Sequence, residues 1–244
     1  MLESYQEDRI KLIKEILPLF SENFILKGGT ALSLFYGLNR YSEDLDFDCI
    51  SQNMNFIKNL KTHRNFKEWK ITIKKDTEFV FKAMIDYGAT SHLGNYPLKI
   101  EVSGRERNRL RLLKDKNIFY QNINGVNVYN IDKLIAMKIN AFNGRDKVRD
   151  LFDINFLFEH YPELFTIANL ESIITKFHYY GEEELDLLLG DEIHTHKLTS
   201  CGEIKTNGFS NALLQKVQNR LNELESESTN ENVELVSNRI RKYR

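Results

Sequence analysis

The chain has 244 residues, 41% of them hydrophobic, 28% charged and 11% aromatic, with a formal net charge of −1. That balance excludes a disordered chain and a uniformly basic nucleic-acid binder, while leaving room for a local basic surface. Two distant cysteines, Cys49 and Cys201, exclude a disulfide scaffold or zinc finger, and a charged N-terminus without any apolar run of ~18 residues excludes a signal peptide and a membrane span, so the expected compartment is the cytoplasm and no membrane is an expected partner.

Residues 3–20 carry Ile10, Ile13, Leu17 and Phe20 at helical spacing and predict a helix ending near Pro18. The apolar triplet 24–26 then enters KGGTALSLFYGL, where Gly28, Gly29 and Thr30 precede an apolar run. This reads as a strand or turn feeding a helix N-terminus, which Gly37 and Asn39 end. In DLDFDCI, residues 44–50, acids alternate with apolar residues, the period-2 signature of a strand. Residues 54–63 read as a short helix. Trp69 to Tyr87 alternates again and predicts a hairpin turning near Asp76. Residues 96–103 form a further strand, with Ile100 and Val102 on one face and Lys99, Glu101 and Ser103 on the other; 124–130 is a short extended piece. Beyond Asp132 helical patterns dominate. The expected architecture is α+β, with a sheet-rich domain over 1–125 and a mainly helical domain over 126–244. Charge is uneven along it: residues 58–75 hold seven Lys/Arg against one acid, 105–116 hold six against two, and 181–192 hold six acids and no base.

The informative constellation is Gly28-Gly29-Thr30, thirteen residues, then Asp44-Leu45-Asp46-Phe47. Asp44 and Asp46 leave the same face of a predicted strand about 7 Å apart at the backbone. Such carboxylates suit a hard cation that prefers oxygen ligands, as Mg²⁺ does. A third acid must come from a neighbouring strand. Glu101 between Ile100 and Val102 is the first candidate and Asp86 a rival. The glycine pair allows close backbone approach, and free N–H groups with a hydroxyl at a helix N-terminus are what a triphosphate needs. Asp48 continues the alternation and reads as a solvated or strand-end acid. The acids of 181–192 read as a solvated helix face, His194-x-His196 as loop, and Trp69 as core.

Glycine pair, spacer and Asp-apolar-Asp-apolar, followed by an apolar-Glu-apolar strand, resemble the nucleotidyltransferase (polymerase-beta-like) superfamily. GGTALSLFYGLNRYSEDLDFD, with Arg40 and Ser42 before the acids, and KINAFNGRDKVRDLFDI are similar to the AbiEii/AbiGii-type nucleotidyltransferase toxins. The resemblance covers roughly residues 24–50 and 97–158. It implies a mixed sheet flanked by helices as a catalytic domain, followed by a mostly helical part. It implies Asp44, Asp46 and Glu101 as metal ligands for one or two Mg²⁺, with Mn²⁺ as a substitute. Gly28, Gly29, Thr30 and Ser42 would lie at the NTP phosphates, Lys138 would be a phosphate ligand and catalytic cation, and Asp150 or Asp153 a supporting acid beside Arg149. The alternative for this second segment is a salt-bridged structural corner: a continuous helix would align Lys138, Arg145 and Arg149, and two helices meeting at the helix-breaking Asn143-Gly144 are equally possible.

The implied function is metal-dependent transfer of a nucleoside monophosphate from an NTP, with release of pyrophosphate, to RNA, the tRNA 3′ end in relatives, by a toxin with a cognate antitoxin. Modification of a protein hydroxyl and a catalytically silent nucleotide-binding module are the alternatives. The basic stretches 58–75 and 105–116 suit either a backbone-tracking surface or an ordinary solvated face, and the alternation of Arg107, Arg109 and Arg111 suits one face of a strand.

Overall fold

The computed structural model describes residues 2–88, 96–145, 147–196 and 205–242; for His196 and from residue 228 on, only the backbone is described. Cys201 lies outside the described residues. In chain order the elements are α1 (Ser4–Ile16), β1 (Phe24–Lys27), α2 (Gly28–Phe35), β2 (Leu45–Cys49), α3 (Ile57–Leu60), β3 (Lys70–Asp76), β4 (Val80–Asp86), β5 (Leu98–Ser103), α4 (Arg107–Arg111), β6 (Tyr120–Ile123) and β7 (Val126–Tyr129), followed by α5 (Ile131–Gly144), α6 (Arg149–His160), α7 (Ile167–Tyr180), α8 (Glu182–His196) and α9 (Phe209–Lys242). The chain divides into two units between Leu134 and Ile135, inside α5; β7 therefore belongs to the first unit, past the expected boundary at 125.

The first unit is built on a seven-stranded mixed sheet of order β3-β4-β5-β2-β1-β7-β6. Alternation in LDFDC sets its two faces. Leu45, Phe47 and Cys49 point to a dry side, where Phe47 stacks on Phe20 with centroids 4.4 Å apart and Phe56 meets Phe81 edge-on at 5.3 Å. Burial of Leu98, Ile100 and Val102 continues that side across β5. Such aromatic and branched side chains each contribute about 1.5–3 kcal/mol by leaving water. The opposite side carries the acids. The expected hairpin of β3 and β4 is present, and β6 adds a strand before Asn124-Gly125. Both of those residues have positive φ, 52° and 85°, the type I′ geometry that a two-residue hairpin turn requires.

Five helices from α5 onward make the second unit around Ile139, Phe142, Ile154, Leu157, Ile173, Phe177, Leu189 and Val217. Thr166 caps α7 by accepting from Asn169 N, while Asn169 Oδ1 accepts from Thr166 N, both at 3.2 Å. The acidic stretch is more than a solvated face. Asp186 accepts the backbone N–H groups of Gly208 and Ser210, at 2.7 and 2.8 Å, and so caps α9. Glu192 accepts from Arg149 N at 2.7 Å. His194 is exposed near the end of α8, on a helix instead of a loop. Among the described residues, no helix is long and apolar enough to cross a membrane.

Candidate active site

Strand order brings the sequence-distant acids together. β2 lies between β1 and β5, and the register sets Lys27 opposite Asp46 and Asp46 opposite Glu101. Cross-strand neighbours share a face, so the two carboxyl-bearing positions sit side by side, with Asp44 two residues before Asp46. Asp86 takes no such place: it lies on β4 opposite Lys70 and accepts the N–H of Gly88 at 3.1 Å.

Lysines hold two of the three acids. Lys99 is ion-paired with Asp44, and Lys82 Nζ stands 3.2 Å from Glu101 Oε2. Asp46 has neither partner. Loss of water pushes its carboxyl above the usual range, Lys99 draws it back, and the charges of Asp44 and Glu101 push it further up. Burial alone lowers the Lys99 ammonium, but the hydrogen bond and charge of Asp44, with Asp46 and Glu101, carry it above its ordinary value. Among the described residues, no three acids, histidines or cysteines stand close enough to hold a metal ion in this arrangement. The donor chemistry is of the kind Mg²⁺ prefers: Asp44, Asp46 and Glu101 bring three carboxyl groups to one side of the sheet.

The glycine pair closes directly over this face. Gly28 has φ +78°, and a Cβ there would meet Asp46 Oδ2 at 3.3 Å. A Cβ on Gly29 would lie 2.8 Å from Arg40 Nη2 and 2.9 Å from Ser42 Oγ. Only glycine lets the start of α2 approach both groups. Thr30 is buried. Its hydroxyl is bonded to Ser42 Oγ at 2.9 Å and to the Asp44 carbonyl. A carbonyl can only accept, so the Thr30 proton goes to Asp44 and the Ser42 hydroxyl donates to Thr30. Thr30 thereby ties the acid-bearing loop to the helix, a use of the hydroxyl that its sequence context does not reveal. The N–H groups of the first helical turn lack intrahelical acceptors.

The reading of Asp48 as a solvated acid fails. The residue is 1% exposed, not solvated. Lys27 Nζ lies 2.6 Å from its Oδ1 and the Tyr129 hydroxyl donates to its Oδ2 at 2.9 Å. Burial, then the charge of Asp48, raises the Tyr129 phenol, which stays protonated as the donor. Asp48 is a structural acid tying β1, β2 and β7. Lys27, Lys82 and Lys99 are the residues beside the acids that the sequence hides; their strand parity is readable, their neighbours are not.

In the second unit, Asn143-Gly144 does end a helix, and α5 and α6 meet at a corner. Lys138 is 6% exposed and contacts Asp150 at 3.0 Å and Asp153 at 2.5 Å, both of them fully buried. Arg145 adds a two-pronged bond to Asp150, at 2.8 and 3.0 Å. Arg149 pairs instead with Glu192. Of the basic stretches, 105–116 is not a strand face: Arg107–Arg111 is helix α4. Arg107 is buried and donates to Gln52 Oε1 at 2.8 Å, and Arg109 pairs with Glu106 and lies 5.2 Å from the Phe119 ring. Trp69 is half-buried against His63, centroids 4.6 Å apart, outside the main core.

No curated protein sequence matches the chain. Among solved structures, JHP933 from Helicobacter pylori superposes with a TM-score of 0.77 at 27% identity, covering 96% of this chain and 99% of that one. A second Helicobacter pylori protein, whose assignment as a nucleotidyltransferase is itself provisional, gives 0.72 at 29% identity over 92% and 98%. MenT4, a nucleotidyltransferase toxin from Mycobacterium tuberculosis, shares the fold at 14% identity, with a TM-score of 0.52 over 90% of this chain and 86% of that one. The sequence model of the nucleotidyl transferase AbiEii toxins of type IV toxin–antitoxin systems matches residues 11–238, nearly the whole chain, and the protein therefore belongs to the AbiEii nucleotidyltransferase family.

Proposed function

We propose that this chain transfers a nucleoside monophosphate from an NTP to the 3′ hydroxyl of an RNA, with tRNA acceptor ends as the target class and a separately encoded antitoxin as its partner. The observation that carries the reading is the Asp46–Glu101 pair, adjacent across β2 and β5 with Asp44 on the same face, under a helix opened by two glycines. Asp44, Asp46 and Glu101 would hold one or two Mg²⁺, which when bound supply charge for the attacking and departing oxygens. The N–H groups of Gly28, Gly29 and Thr30 would face the triphosphate, with Ser42 beside them donating its hydroxyl to Thr30. Thr30 holds the loop that aims Asp44. Lys138, which the family resemblance implies as a phosphate ligand, is held within the second unit by Asp150 and Asp153. The acceptor oxygen attacks the α-phosphorus in line, an O–P bond forms as the bond to the pyrophosphate breaks, and the hydroxyl proton leaves through Glu101 or water.

The test is incubation of the protein and Mg²⁺ with each α-labelled NTP, offered either tRNA or cell protein as acceptor. Label is expected in tRNA and absent with Asp46→Asn. Label in protein alone overturns the RNA acceptor; label in neither overturns transfer.

A further inference from the structure

The row of cross-strand partners that contains the acids continues to the edge of the sheet. Asp46 faces Glu101, Glu101 faces Lys82, and Lys82 faces Lys75 on the edge strand β3. The last step depends on an irregularity. The β3–β4 register shifts between Ile73 and Lys75, so that Lys75 instead of Lys74 comes opposite Lys82. A bulge of this kind re-aims a side chain. Here it sets two like charges directly opposite each other, which is unfavourable in itself.

The surroundings do not relieve that charge. β3 is exposed over nearly its whole length, and among the described residues Lys70, Lys74 and Lys75 have no ion-pair partner. Lys82 is balanced by Glu101, and only while Glu101 is not drawn to a metal ion. Lysines on an edge strand deter strand addition, which accounts for Lys70 and Lys74 but not for the placement of Lys75 beside Lys82. The turn between β3 and β4 carries Phe79, 51% exposed, whereas Ile73, 49% exposed, lies opposite Ala83 on the other side of the sheet.

We propose that the β3–β4 face is where the acceptor strand lies: a single-stranded RNA whose phosphates cross Lys82 and Lys75 toward Glu101, with a base stacked on Phe79. Cations tracking a backbone beside an exposed aromatic ring are the combination that single-stranded nucleic acid takes. The strand spacing of about 4.8 Å leads the row from the sheet edge to the carboxylates in two steps. This rests on the transfer reading above and assigns its acceptor site.

The test uses the full chain with Lys75→Ala, Phe79→Ala and the pair combined, binding a short single-stranded oligoribonucleotide by anisotropy over a salt series, beside NTP affinity and thermal melting. Lys75→Ala is expected to weaken RNA binding up to about fivefold and to flatten the log–log salt slope by roughly 0.7. NTP affinity should be unchanged and the melting temperature unchanged or slightly higher as the like-charge pair is removed. Phe79→Ala should weaken binding at unchanged salt slope. Wild-type affinity and slope in all three variants overturn this surface while leaving the transfer reading intact. If wild-type protein labels only protein and binds no RNA, the RNA acceptor and this surface both fall. A drop in melting temperature that tracks the loss of RNA binding also overturns the proposal, because it makes the hairpin structural.

Discussion

Replacing Gly28 by alanine separates backbone strain from damage to the site, because Gly37 provides a matched control. Gly28 and Gly37 have φ of +78° and +81°. Alanine costs about 1–2 kcal/mol in that left-handed region, which corresponds to a melting temperature lower by roughly 2–8 °C for a chain of this length. The neighbours differ. Nothing lies within 4 Å of a Cβ at Gly37, whereas at Gly28 the added methyl meets Asp46 Oδ2 at 3.3 Å, close enough that the carboxylate must give by a few tenths of an ångström. Both variants should therefore melt lower by a similar amount. Only Gly28→Ala should lose transfer, by about tenfold, less than the ~10²-fold that a full ångström of misplacement can cost. The assay is the initial rate of label transfer from α-labelled NTP to tRNA under saturating Mg²⁺, at a temperature where both variants are folded. Equal rates for Gly28→Ala and Gly37→Ala refute the idea that the glycine exists to admit Asp46.

Asp46→Asn should raise thermal stability near pH 7 in the absence of metal while abolishing transfer: a carboxyl raised in the folded state contributes stability below about pH 4, and loses it as pH rises through the folded value. The gap between variant and wild type should close on acidification, and an Asp46→Asn protein that melts lower at neutral pH contradicts the origin of the shift in burial, with Asp44 and Glu101 adding to it. Tyr129→Phe removes a donor from the fully buried Asp48 and should cost about 1.5–3 kcal/mol in denaturant unfolding; a cost within 0.5 kcal/mol, typical of surface sites, makes Lys27 alone sufficient. Lys138→Ala leaves Asp150 and Asp153 buried with less compensation and should lower stability by about 3–5 kcal/mol. Asp153→Asn keeps the shape of the corner, so NTP affinity in calorimetric titration weakens there only if Lys138 reaches the phosphates.

What could be read beforehand follows from parity along a strand. Acid–apolar alternation in DLDFDC sets which face Asp44, Asp46 and Asp48 occupy, and the same alternation sets Glu101 apart from Ile100 and Val102. Parity says nothing about which strands are neighbours. Asp48 reads as solvated from the sequence because its partners come from residues 27 and 129, on β1 beside β2 and on β7 one strand further, which come near it only after folding. Strand β6 escaped notice because YQNI is polar and largely exposed; the Asn-Gly pair after it was the available signal. The arginines 107, 109 and 111 alternate as strand residues do, yet a five-residue helix forms there and buries the first of them against Gln52. Over so short a stretch, period 2 and a single helical turn are indistinguishable.

The lysines explain why the acids can share one face. Asp44, Asp46 and Glu101 bring three negative charges to neighbouring positions, and Lys99 and Lys82 neutralise Asp44 and Glu101. The remaining charge falls on Asp46, the carboxyl with no lysine of its own in this set, and there the burial and the two neighbouring acids make ionisation costly. A divalent cation at Asp46 would remove that cost and compete with the lysines for Asp44 and Glu101. The lysines so released sit on the same sheet face, one strand further toward the edge in the case of Lys82, next to Lys75. Binding of cation at the acids and of polyanion at the lysines should therefore reinforce each other, since each relieves the unpaired charge that the other creates. RNA affinity measured with and without Mg²⁺ reports this directly: Mg²⁺ should strengthen RNA binding to wild-type protein, against its ordinary screening effect, and should only weaken it in Glu101→Gln, where Lys82 has no charge to exchange.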